Sequence, residues 1–133
     1  MLIQKDIHKL ITSGESDTVE FKQSFNNEVI ETIVAFANTS GGSVFIGISN
    51  TGKLLGASIG KETLQQWINE IKSKTSPVQI PEITEHELDG QTICQIRVSE
   101  YPVKPVAFRG RYFKRVRNSN HQLSIQEISE LHP

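Results

Sequence analysis

The stretch Ala35-Phe36-Ala37-Asn38-Thr39-Ser40-Gly41-Gly42-Ser43-Val44-Phe45-Ile46-Gly47-Ile48 decides how this chain folds. Its first part closes a helical run over Glu28 to Asn38. Ile30, Ile33, Val34 and Ala37 fall on one stripe, and Val29 and Phe36 widen it. Asn26 or Asn27 can cap the start of this helix, and Glu28 and Glu31 suit its positive N-terminal end. Gly41-Gly42 ends the helix at a place where positive φ is often required. Ser43 to Ser49 is then apolar on both faces, as a central strand covered from both sides must be.

Working outward, Thr18 to Lys22 alternates, with Val19 and Phe21 on one face and Thr18, Glu20 and Lys22 on the other, and reads as a strand. Before it, Ile3, Ile7, Leu10 and Ile11 recur at helical spacing until Ser13-Gly14. After the central strand, Asn50-Thr51-Gly52 is a turn, and Leu64, Trp67, Ile68 and Ile71 mark another amphipathic helix, with Trp67 expected in the core. Ile83 to Leu88 and Thr92 to Val98 are strands joined by Asp89-Gly90, a strong hairpin signal. Val106 to Arg109 and Arg111 to Val116 read as strands broken at Gly110, and Ser124-Ile125-Gln126-Glu127 has the form of a capping box. The order predicts an α/β (α+β) fold: one compact domain over residues 1–133, a mixed sheet with helices packed on it. The ending at a helix leads us to expect a domain cut from a longer chain.

Composition agrees with a globular domain. The chain has 133 residues, 36% hydrophobic and 22% charged, enough for one core and unlike a disordered segment. Its apolar runs fall far short of the roughly 20 residues of a membrane-spanning helix, so no membrane partner is expected. The single cysteine, Cys94, excludes an internal disulfide framework and a Cys-rich zinc site, and makes a cytoplasmic location the default. Net charge is only −1, but it is unevenly placed. Tyr101 to Gln126 holds six basic residues (Lys104, Arg109, Arg111, Lys114, Arg115, Arg117) and no acid, whereas all 15 acids lie elsewhere. Such polarity points to an anionic partner.

Three motifs bear on chemistry. Gly47-Ile48-Ser49-Asn50-Thr51-Gly52-Lys53-Leu54 matches the spacing of a phosphate-binding loop, but Leu54 cannot ligate magnesium and no helix start follows, so it reads as a hairpin turn and ATP binding is not expected. Glu15 and Glu20 are a carboxylate pair that, if convergent, would hold a divalent cation able to activate water against a phosphodiester. The basic stretch interleaves its charges with Tyr101, Phe108, Tyr112 and Phe113, the combination that pairs with phosphates and stacks on bases. Arg111, Phe113, Arg115 and Arg117 share one face of its last strand, and at least one of that strand's two faces is expected to be core. The four histidines are scattered without metal-ligand spacing, and no small-molecule substrate is indicated.

Three passages together resemble the Schlafen-type Alba-like (AlbA) domain family. Gly14-Glu15-Ser16 with Val19-Glu20-Phe21-Lys22 resembles its opening signature. Ala35 to Gly42 followed by Val44 to Ile48 resembles its core, and Lys104-Pro105-Val106 through Gly110 to Val116 resembles its basic segment. The resemblance implies a compact nucleic-acid-binding module, often the N-terminal part of longer proteins described as transcriptional regulators. DNA is favoured over RNA as partner. Phosphate contacts are expected from Lys22, Lys104, Arg109, Arg111, Lys114, Arg115 and Arg117, with Asn118 and Asn120 beside them. Because related modules work in pairs, a homodimer is a further expectation, and a protein-interaction module is a rival reading. Some relatives cleave transfer or ribosomal RNA with three acids, and the first two match Glu15 and Glu20. The third falls on Asn50, which leaves Asp89 or another acid to substitute in space. Binding without catalysis is therefore the reading, with no cofactor; Mg²⁺ or Mn²⁺ belongs only to the alternative of a metal-dependent endoribonuclease.

Overall fold

The structure, a computed structural model, describes residues 4–131; Ile3 of the first helical stripe and His132 lie outside the described residues. Helix α1 (Gln4–Ser13) leads into β1 (Val19–Lys22), α2 (Asn27–Ala37) and β2 (Gly42–Ile46). Asn26 caps α2, its side chain accepting the N–H groups of Glu28 and Val29. Strands β1 and β2 run parallel, Glu20 beside Val44 and Lys22 beside Ile46, with α2 as the crossover that parallel strands need. Helix α3 (Thr63–Lys74) runs into the two-residue β3 (Thr75–Ser76), and β4 (Glu82–Leu88) and β5 (Gln91–Val98) form a hairpin. Then come β6 (Ala107–Phe108), β7 (Arg111–Val116), β8 (Ser119–Gln122) and α4 (Ile125–Leu131). Ser124 and Glu127 close the capping box of α4 reciprocally, at 3.1 and 3.2 Å.

The strands form two sheets. One is the expected mixed sheet, in the order β1-β2-β5-β4; the basic strands leave it for an antiparallel second sheet, β3-β6-β7-β8. The segment between Val98 and Val106, with Pro102 and Pro105 that cannot donate to a ladder, carries the chain from one to the other. Helix α2 lies between the sheets and is buried on nearly every side, which its apolar width requires. Its core joins Val44, Ile46, Cys94 and Ile96 of the first sheet to Val106, Phe108 and Phe113 of the second and Ile71 of α3. The opposite face of the first sheet packs Phe21, Phe45 and Ile93 under Ile7 and Ile11 of α1. Trp67 is half-buried at the rim of the core, stacked on Phe25 with ring centroids 5.0 Å apart.

Two details of the opening stretch fix this layering. Asn38, just past α2, is buried and clamps the second sheet: its Nδ2 donates to the carbonyls of Val106 and Phe113, both at 2.9 Å, and its Oδ1 accepts the Val106 N–H at 2.7 Å. Gly41 takes φ +73°, and a Cβ there would meet the Val98 carbonyl oxygen at 2.7 Å, so no other residue fits without movement. The loop-like Gly47–Leu54 segment is a hairpin turn as read: Ile48 bridges Leu54, and the Ser49 N–H donates to the Lys53 carbonyl at 2.9 Å.

Candidate nucleic-acid interface

The loop before β1 sets Glu15 against the outer edge of that strand, where its Oε2 accepts the Phe21 N–H at 3.0 Å. Glu20, in the middle of β1, sits beside Val44 and points to the α2 side of the sheet. Arg115, on β7, reaches across from the second sheet to meet it: Nη1 lies 2.8 Å from Glu20 Oε1, and the arginine side chain is wholly buried. The same guanidinium donates to Asn120 Oδ1 at 2.8 Å and to the carbonyls of Ser16 and Val19 at 3.0 and 3.3 Å, and its Cζ lies 5.0 Å from the centre of the Phe36 ring. Asn120 passes the network on to Thr32 of α2 at 2.9 Å. Burial, reinforced by the adjacent Glu15 carboxyl, pushes the Glu20 carboxyl up to about 7 against the pull of Arg115.

The carboxylate pair expected from the sequence therefore does converge, but Glu20 is held by a guanidinium. This donor set does not fit a divalent metal. One oxygen of Glu20 is already matched to a full positive charge, which would repel a second cation. Glu15 is engaged with backbone, Asn50 is an exposed turn residue, and Asp89 sits in the β4–β5 turn, 3.9 Å from His8 of α1. Asp89 is thus corrected as a substitute third acid. Among the described residues no three His, Cys, Asp or Glu side chains gather as a metal-binding group.

The phosphate-contact set divides in three. Arg115 is corrected: its guanidinium is sealed inside, so it cannot reach a phosphate without opening the domain. Asn120 is likewise occupied by Arg115 and Thr32. Lys104, Lys114 and Lys22 are at least partly exposed but each has a carboxylate partner, Glu100, Glu127 and Glu28 respectively, the last at 3.0 Å. Lys114 together with the Ser124 backbone holds the Glu127 carboxyl down to about 2. Arg109, Arg111, Arg117 and Asn118 remain exposed. Arg117 and Asn118 form the β7–β8 turn and border an open depression with Glu15, Ser16 and Asp17. Arg109 forms the β6–β7 turn with Gly110, in the left-handed region at φ +49°, and Arg111 follows it. Their guanidinium carbons lie 5.8 and 6.0 Å from the centre of one ring, Phe108, so the two charges are at most about 12 Å apart and neither has a carboxylate within ion-pair distance among the described residues. Sequence reading places both arginines in the interface but misses Phe108 as the buried ring that gathers them; its position opposite Arg111 in the β6–β7 register brings this about.

A family model described as Schlafen, AlbA_2 matches residues 15–124. The chain belongs to the Schlafen AlbA_2 family. That match spans Glu15, Glu20, the Asn38 clamp and every strand of both sheets, so the expected family and α+β fold both hold for this AlbA_2 domain. Two solved structures share its fold. The DIP2311 protein from Corynebacterium diphtheriae superposes with a TM-score of 0.72 at 19% identity, over 94% of this chain and 27% of that one. The N-terminal domain of a protein described as related to the ATP-dependent DNA helicase RecG, from Nitrosomonas europaea, gives 0.69 at 22% identity, over 94% of this chain and 95% of that one. The AlbA_2 domain thus spans about a quarter of the Corynebacterium protein. No curated protein matches the chain.

Proposed function

We propose that this AlbA_2 domain binds nucleic acid, DNA in preference to RNA, through phosphate contacts, as the DNA-binding part of a transcriptional regulator. The observation that carries this reading is the Arg109–Phe108–Arg111 cluster: two guanidinium groups held over one ring with no carboxylate to answer them. Two exposed cations without a counter-charge make a positive patch, and guanidinium forks match phosphate oxygens. Family membership and the RecG-related neighbour support the same reading. The test is fluorescence anisotropy of labelled duplex DNA, single-stranded DNA and transfer RNA across a salt series. Tightest binding to duplex, weakening steeply with salt and leaving the probes intact, is expected; tighter binding to transfer RNA would reverse the DNA preference, and no binding to any probe would reject the reading.

A further inference from the structure

A nucleic-acid backbone that meets Arg109 and Arg111 can leave them in two directions. Along β7 it would reach Arg117 after six residues, about 20 Å at strand spacing. There Glu15 and Asp17 border the same depression, and their carboxylates oppose a phosphate. The other direction is sideways, through β6 to β3. The Arg109 N–H donates to the Lys74 carbonyl at 3.1 Å, and Thr75 pairs with Phe108, so the last turn of α3 is fastened to the β6–β7 turn. That turn carries Lys72 and Lys74. Lys74 is occupied, its Nζ 3.1 Å from Glu70 Oε1 and 2.8 Å from Asn27 Oδ1. Lys72 is exposed and has no carboxylate within ion-pair distance among the described residues. Its Cα lies on the order of 10 Å from that of Arg109 by helix geometry. A strand of duplex DNA places a phosphate every ~3.4 Å of axis, so three such cations can follow one strand.

We infer that Lys72 continues the Arg109–Arg111 anion site, and that the DNA backbone crosses from the β6–β7 turn onto the end of α3. This rests on the phosphate-binding reading above. Nothing in the sequence pattern marks Lys72: it is one of two lysines on an amphipathic helix, and only the β3–β6 pairing, more than 30 residues apart in the chain, brings it to the arginines.

The test is anisotropy of a labelled duplex of about 20 base pairs with the wild-type domain and with Lys72→Gln, Arg111→Gln and Arg117→Gln, each at an exposed position, with thermal melts to verify folding. Lys72→Gln and Arg111→Gln are each expected to weaken binding about threefold or more near 0.1 M salt and to flatten the log–log salt slope by about 0.9, while Arg117→Gln stays within about twofold. Weaker binding by Arg111→Gln with no change in Lys72→Gln would overturn this path and leave the phosphate reading standing. A larger effect in Arg117→Gln than in Lys72→Gln would also overturn it, placing the backbone along β7. Absence of binding by the wild-type domain would remove the phosphate reading and this inference together.

Discussion

Glu20 carries its carboxyl between groups that pull in opposite directions. Burial and the neighbouring Glu15 favour the protonated acid, the Arg115 guanidinium favours the anion, and the balance settles at about 7. That is above the ordinary value of 4.5, so the folded domain binds this proton more tightly than the unfolded chain does. The resulting stabilisation is complete below the unfolded value and is lost as pH rises through about 7, roughly 3 kcal/mol in all. Urea unfolding between about pH 5 and 8 measures it: wild type should lose stability across this window relative to Glu20→Gln, and parallel curves would contradict the assignment. Arg115 has the complementary test. Arg115→Met leaves the Glu20 carboxyl and the Ser16 and Val19 carbonyls without their donor, and is expected to cost about 3–5 kcal/mol. The same guanidinium bears on metals. A divalent ion present at 100 times its dissociation constant adds about 2.7 kcal/mol of stability, a shift of several degrees in Tm. Millimolar Mn²⁺ is expected to leave the Tm of the wild-type domain unchanged, and a clear rise would show that a cation site exists after all.

At the level of elements, α2 and the turn after it hold the two sheets together. Asn38→Ala would strip partners from two buried carbonyls and one buried N–H, and is expected to destabilise by about 3 kcal/mol or more by chemical denaturation. Much of this layer is legible in the chain itself. The width of the apolar stripe on α2 announces burial from two sides, and Asp89-Gly90 announces its hairpin, both residues taking positive φ at 50° and 76°. What escapes is whatever depends on a distant partner. Strand β3 is two residues long, and β8 is Ser-Asn-His-Gln, with little strand propensity; both form because β6 and β7 offer them free edges. Alternation correctly places Phe113 and Arg115 on one face of β7, and that face is the core. It cannot tell which of the two faces is core, because the carboxylate that lets Arg115 be buried stands 95 residues earlier, on β1.

For the whole molecule, the basic segment loses half its strength as an interface once folded. Of its six cations, Lys104, Lys114 and Arg115 are answered by carboxylates, leaving Arg109, Arg111 and Arg117. Affinity should therefore be modest and concentrated at the β6–β7 turn. The most direct measurement is the salt dependence of duplex DNA binding by the wild-type domain and by the double variant Arg109→Ala/Arg111→Ala. Every phosphate that no longer meets a cation should take about 0.9 from the log–log slope, so the expected result is weaker binding with a slope lower by nearly two. An unchanged affinity and slope in the double variant would contradict the assignment of this turn as the nucleic-acid interface.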